Sequence, residues 1–425
     1  MTGTSRHLKS STHAPVSCLL LGAGNRGEAY ASWALRNPEK MTVVGVAEPN
    51  GIRRERFARA HTIPAERQFE SWQHALAESR FADLLVIATP DRLHHGPAMR
   101  GLELGYHLLL EKPIAPGWDQ CRELLDQQGK HPQMVAVCHV LRYTPFYRKL
   151  KAIADSGLLG EVVSLEHIEP VGYWHQAHSF VRGNWGRSSR SSPMILAKSS
   201  HDMDILRWLA GVPCRSVSSF GSLKHFRAEN APEGSTERCI EECAVEQECP
   251  YSALKIYLDM EKSGWPVSVI TEDLSAEGRI RALREGPYGR CVYRCDNDAV
   301  DHQVVVLEFD RGITASFTMC AFTVVGDRRT RLMGTMGEAT GDSRHILVQD
   351  FRTGRSETVD TNGGDTAIAR GHGGGDEGLM EELVRAVQEN DPSLLSSSLE
   401  ESLESHLMAF AAEESRLERR TVSLR

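Results

Sequence analysis

The strongest constraint on this chain is the glycine run Gly22-Ala23-Gly24-Asn25-Arg26-Gly27, which stands directly after the apolar stretch Val16–Leu21 and before a stretch with helical spacing. A continuous apolar run ending in glycine suits a strand buried on both faces of a parallel sheet. In a GxGxxG loop so placed, the first glycine permits a tight turn, the second lets backbone approach a pyrophosphate and the third allows close helix packing. The helix amino terminus then faces the phosphates. Gly22, Gly24, Asn25, Arg26 and Gly27 are therefore expected to bind a dinucleotide. Glu48 closes the next strand, where a carboxylate hydrogen-bonds a ribose 2′-hydroxyl and repels a 2′-phosphate, so NAD is expected over NADP. Arg53 and Arg54 follow closely and leave some tolerance for the phosphate.

Further strands are expected at Met41–Ala47, 83–88, His107–Leu110 and 134–138, with helical spacing at 53–60 and 119–128. Strand-helix repetition implies right-handed crossovers and a doubly wound Rossmann domain over 16–141, after a leader at 1–15. Beyond His139 the pattern changes. A helix should start at Thr144-Pro145 and stop at Ser156-Gly157, and strands are expected at 161–169, 304–309, Thr314–Cys320 and 346–350, with a turn at Asp310-Arg311-Gly312. The second domain, 142–425, is thus expected to be α/β with a large, mainly antiparallel open sheet, closed by helices at 378–389 and 399–417.

The chain has 425 residues, a net charge of −8, 40% hydrophobic and 25% charged residues. Two domains fit that length, and no dense basic run offers a footprint for nucleic acid. No stretch approaches the roughly 18 apolar residues of a membrane span, and 1–15 lacks the apolar core of a secretory signal, so a cytoplasmic protein is expected. The ten cysteines are then expected to be mostly reduced. Cys239, Cys243 and Cys249 cluster in an acidic loop of an insert near 225–300, and Cys295, Cys291 or His225 is a candidate fourth ligand. A structural zinc, an iron-sulfur cluster, and unligated thiols all remain open readings.

At the end of the fourth strand stands Leu110-Glu111-Lys112-Pro113, and a lysine there projects from the carboxyl edge where open α/β sheets hold ligands. With the glycine loop, Ala88-Thr89-Pro90-Asp91 with His94, and Ser200-His201-Asp202-Met203-Asp204, the chain resembles the glucose-fructose oxidoreductase and inositol dehydrogenase (Gfo/Idh/MocA) family. That resemblance implies a Rossmann domain followed by an α/β domain, and oxidation or reduction of a sugar, sugar derivative or polyol. It adds Thr89, Pro90, His94, Glu111 and Lys112 to the cofactor side. It makes Lys112 a group touching nicotinamide and substrate, and His201 the histidine of an acid-base D-x-x-x-H pair. The aspartate position holds Ala197, followed by Lys198, which is a candidate second cation in the site. Removing hydride from a carbinol carbon requires its hydroxyl proton to leave too; His201 is the expected base and Lys112 the group polarising the hydroxyl.

Rings and polar tips in the pattern of a sugar site mark Arg142, Tyr143, Tyr173, Trp174, His175, His178 and Trp185, and the loop Gly371-His372-Gly373 offers a histidine to close it. The resemblance leaves an alternative with the same fold, an NAD-dependent glycoside hydrolase that oxidises C3 transiently, eliminates the anomeric substituent and returns the hydride. An open sheet with an apolar face implies a homo-oligomer, dimer or tetramer.

Overall fold

The computed structural model describes residues 13–324, 326–361 and 372–424; most of the expected leader, residues 1–12, and Gly371 lie outside them. The first sheet contains β1 (Val16–Leu21), β2 (Met41–Ala47), β3 (Gln68–Phe69), β4 (Leu84–Ile87), β5 (His107–Leu110) and β6 (Val135–Val137), ordered 3-2-1-4-5-6. Every pairing in it is parallel. Residues Leu19 to Leu21 and all of β4 and β6 are buried, as strands covered by helices on both faces must be. The chain reverses direction across the sheet between β1 and β4, and the helix Asn25–Arg36 starts at that crevice.

The second sheet contains β7 (Val162–Pro170), β8 (Cys214–Ser222), β9 (His302–Phe309), β10 (Thr314–Cys320), β11 (Arg329–Gly334), β12 (Gly337–Gly341), β13 (His345–Asp350), β14 (Arg355–Asp360) and β15 (Val422–Ser423), ordered 14-13-12-11-7-10-9-8-15. It is antiparallel except for the β7–β10 pair. β7, β9 and β10 alternate buried and exposed positions, so one face meets the helices and the other lies open. Leu165, His167 and Glu169 point inward from β7, and the helix Ser200–Ala210 crosses that inner face. The sequence does not mark β3, β8, β11, β12, β14 or β15 as strands; in β8 and β14 the serine-rich and charged segments, CRSVSSFGS and RSETVD, lack apolar alternation.

Two features link the sheets. The helix Gly375–Glu389 sends Leu379, Met380, Leu383 and Val384 into the cluster of Tyr30, Trp33 and Val16, so a segment near the carboxyl end completes the first sheet's packing. The 223–301 insertion between β8 and β9 forms its own small clusters around Tyr251 and Tyr257. Among the described residues, no helix is long and apolar enough to cross a membrane.

Candidate active site at the carboxyl edge of the parallel sheet

The glycine loop has the shape its spacing implies. Gly22 takes φ +90°, and a Cβ there would lie 2.5 Å from the Ala88 carbonyl oxygen; at Gly27 it would lie 2.0 Å from the Gly22 oxygen. At Gly24 a Cβ would meet nothing within 4 Å, which leaves open space over the helix terminus, and a pyrophosphate fits there. Asn25, the first residue of that helix, is exposed to the same space. Glu48 is buried, with Oε2 accepting from the Ala23 N–H at 2.9 Å and Oε1 from the Asn50 N–H at 3.0 Å.

Several expected cofactor residues act at one remove. Arg26 donates to Glu111 (2.6 Å) and Asp376 (2.7 Å), so it ties the loop to β5 and to the carboxyl-terminal helix. Glu111 is buried, accepts from Tyr30 Oη at 2.6 Å and from the Lys112 N–H at 3.0 Å, and is held below the usual carboxylate range by Arg26 and Lys112 despite its burial. His94 is a correction to the expected cofactor contact: it is buried, and its ring nitrogens stand 2.6 Å from the Pro113 oxygen and 2.8 Å from the Thr89 oxygen. It braces Thr89 and the turn after Lys112 instead. Thr89 is half-buried, with its hydroxyl on the Leu93 carbonyl, and Pro90 is exposed at the crevice.

Lys112 leaves the end of β5 and donates from Nζ to the Ala197 carbonyl oxygen at 2.5 Å. Ala197, where the resemblance implies an aspartate, thus still holds the lysine, through its backbone oxygen. Burial pulls the Lys112 ammonium down from its ordinary value; Glu111 and Asp91 oppose that, and Lys198 reinforces it. Lys198 itself pairs with Glu169 at 3.1 Å. Glu169 also holds Arg328 at 2.7 Å, Arg328 reaches Asp202 at 2.6 Å, and Asp202 accepts from His167 at 2.9 Å. Each of these cations already faces a carboxylate, so the network is close to internally neutral.

His201 follows one turn after Ala197. Its Nδ1 is buried with no hydrogen-bond partner among the described residues. Burial, then Lys112, His139 and His372, push its pKa well below the usual imidazole value. His139, just past β6, is an active-site neighbour that no sequence spacing marks; its ring lies edge-on to His201 at 5.9 Å between centroids. Both His139 nitrogens lack hydrogen-bond partners among the described residues, and Asp204 Oδ1 stands 3.9 Å from Nε2. His372 also lies beside His201, 6.1 Å away between ring centroids, with Nδ1 3.2 Å from Asp376.

The expected sugar-side residues divide. His175 faces the site, its pKa pulled down to about 2 by burial, Lys198, His178 and Arg328, and Trp265 from the insertion packs against it edge-on at 4.9 Å. Trp174 lies beside Trp265 at 5.2 Å, and Tyr173 is exposed at the rim. Trp185 donates from Nε1 to Asp91 at 3.2 Å, so it orients a carboxylate near Lys112. Arg142, Tyr143 and His178 are corrections. Arg142 is buried and paired through both Nε and Nη2 with Asp204 at 2.7 Å; Tyr143 is buried on Ser397; His178 is buried on Tyr257 at 2.8 Å and stacked on Tyr288. Polar groups so engaged in packing leave no face for a ligand. A one-dimensional pattern of rings and donors does not distinguish these from the rim residues.

The metal expectation is corrected as well. Cys239, Cys243, Cys249 and Cys291 line one cavity with Arg182, but no group of three or more His, Cys, Asp or Glu among the described residues is arranged to hold a metal ion. Cys295 points its thiol at the Cys291 carbonyl, and burial pushes its pKa up to about 11. Arg182, itself buried, donates to Cys239 and to the Tyr251 carbonyl, so the thiols pack around a guanidinium.

A glycine loop at the switch point of a 3-2-1-4-5-6 sheet, with a lysine and a histidine meeting across its edge, defines a nicotinamide-dinucleotide-binding oxidoreductase. More particularly, residues 16–139 match the oxidoreductase family model with an NAD-binding Rossmann fold, residues 151–424 match that family's C-terminal alpha/beta domain, and the chain belongs to the Gfo/Idh/MocA family. It is 24% identical over 320 residues to a putative oxidoreductase, YteT, of Bacillus subtilis, covering 71% of this chain and 72% of that protein. It is 29% identical over 220 residues to inositol 2-dehydrogenase 4 of Saccharopolyspora erythraea, covering 51% of this chain and 60% of that one. The fold is shared with an oxidoreductase from Agrobacterium radiobacter solved with NAD+, L-tartaric acid and magnesium, at a TM-score of 0.70 and 14% identity, covering 96% of this chain and 98% of that one.

Proposed function

We propose that this protein is an NAD-dependent dehydrogenase of a sugar, sugar derivative or polyol, working at Lys112 and His201. The observation that carries the reading is Lys112, half-buried at the sheet's carboxyl edge with its Nζ held by the Ala197 carbonyl one turn before His201. The nicotinamide, when bound, supplies the hydride acceptor. Lys112 and His201 bind the carbinol oxygen between them, and burial excludes the water that would weaken both contacts.

Their roles differ from the simplest expectation. Two adjacent cations do not both persist in so buried a place, and both groups are shifted downward. Lys112 is the acid-base group: as the free amine it takes the hydroxyl proton while the hydride leaves for the nicotinamide, and His201 positions the oxygen through Nε2. In place of the aspartate, His139 packs edge-on against His201, with Asp204 3.9 Å from its Nε2. Lys198, with His175 and His372, shapes the substrate side, with Trp174, Tyr173 and Trp185 at its rim. The outer sheet face, where Ile168, Thr318, Val304 and Phe220 line up across four strands, supports a homo-oligomeric protein.

The test gives the purified protein NAD with a panel of free sugars, polyols and aryl glycosides, and follows NADH and released phenol together. NADH formed in proportion to substrate, rising with pH as Lys112 loses its proton, is the expected result. Phenol release without NADH accumulation would overturn it in favour of the hydrolase.

A further inference from the structure

We propose that Glu272, on the insertion into the second sheet, sets the preference of the cofactor pocket for NAD over NADP by closing the arginine that would otherwise take the 2′-phosphate. The inference rests on the reading of Glu48 as the ribose-binding carboxylate. Arg53 stands in the first turn of the helix Gly51–His61, directly after Glu48 at the end of β2. Its Nη1 lies 3.7 Å from Glu48 Oε1, which places the guanidinium at the ribose end of the pocket. An arginine at that place is the usual acceptor of a 2′-phosphate.

Here its remaining donors point elsewhere. Arg53 Nε and Nη2 both donate to Glu272 Oε1, at 3.1 and 2.9 Å. Glu272 Oε2 takes Arg56 Nη1 at 2.6 Å, and Arg56 Nη2 goes on to Glu28 at 2.7 Å. One carboxylate from residue 272 thus binds two arginines some 219 and 216 positions away. Arg53 and Arg56 hold the Glu272 carboxyl below its usual range in spite of its partial burial.

Glu272 acts twice against a phosphate dianion. It occupies the bidentate geometry Arg53 would offer, and it adds a second negative charge beside Glu48. A ribose hydroxyl is indifferent to the first effect, because Glu48 is already oriented by the Ala23 and Asn50 N–H groups. The helix Gly51–His61 contains Arg53, Arg54 and Arg56, a composition that by itself reads as phosphate-tolerant; Arg54 is turned away onto the Glu48 carbonyl at 2.6 Å. The insertion therefore decides the selectivity of a pocket to which it contributes no cofactor-binding residue of the glycine loop.

The experiment titrates the full-length protein with NADH and with NADPH, following nicotinamide fluorescence, for the wild type, Glu272→Gln and the Glu272→Gln/Arg53→Ala double variant. Glu272→Gln keeps side-chain shape, and its melting temperature checks the fold. The ratio of the two dissociation constants is expected to move about fivefold towards NADPH in Glu272→Gln, less at high salt, as for a partly exposed charge. The double variant should lose that gain, because Arg53 is what receives the phosphate. A ratio unchanged within about twofold in Glu272→Gln, or a gain that survives removal of Arg53, overturns the proposal. A wild type that binds NADPH as tightly as NADH refutes instead the reading of Glu48, and the shift in Glu272→Gln still decides the role of Glu272.

Discussion

The cofactor edge and the substrate side of the same cleft are built on opposite plans. At the cofactor edge the decisive feature is bare backbone: Gly22 and Gly27 exist because a Cβ would strike backbone oxygens, and Gly24 faces open space. On the substrate side the decisive feature is crowded charge: Lys198, Glu169, Arg328, Asp202 and His167 form a chain of buried pairs. The first plan needs only neighbours in sequence. The second draws on the entry to the helix Ser200–Ala210, on β7, and on the segment before β11. A local plan tolerates little change in shape, whereas a dispersed one tolerates little change in charge.

The largest expected effect lies where the two sides meet. Lys112→Met should lower kcat by about 10⁴-fold, since the lysine nitrogen both holds the substrate oxygen and exchanges its proton. NADH binding followed by fluorescence should change far less, and a comparable loss of both would place Lys112 on the cofactor side alone. Gly27→Ala should weaken NADH binding by about 100-fold, because its Cβ would stand 2.0 Å from the Gly22 oxygen and displace the loop. Tight NADH binding by that variant would break the contrast.

His139→Asn should lower kcat about tenfold with the NADH dissociation constant unchanged, as expected for a group that orients another. An unaltered kcat would remove His139 from the site. The smallest effect is on stability. Burial pulls His178 and His406 down to about 3 from 6.5, so below pH 6.5 the unfolded chain binds protons that the folded protein refuses. Stability should therefore fall as pH drops from 6.5 towards 3, by up to about 1.4 kcal/mol per pH unit for each histidine. Denaturant midpoints at pH 7 and pH 5 measure it, and His178→Gln should flatten the slope; no change between those pH values would contradict the burial of both rings.

Legibility in the sequence followed the same division. The parallel strands, the glycine loop, Glu48, Lys112 and His201 stand where strand-turn-helix spacing puts them, because each depends on residues a few positions away. Arg142, Tyr143 and His178 carry the same rings and donors as His175 and Trp185, yet they are buried on Asp204, Ser397 and Tyr257. His139 carries no spacing signal at all; only the approach of the helix Ser200–Ala210 to the end of β6 puts it beside His201. Four thiols close in sequence or space suggested a metal, and packing set them around Arg182.

By itself, then, the sequence determined the parallel sheet, the place of the dinucleotide and the lysine at the sheet's edge, since these follow from local periodicity and from the steric demands of glycine. The tertiary structure decided which polar side chains face the cleft, which carboxylate each cation meets, and that Glu272 reaches the arginines beside Glu48. Those outcomes depend on contacts between positions hundreds of residues apart, and no spacing along the chain encodes the distance between two charges that only folding brings together.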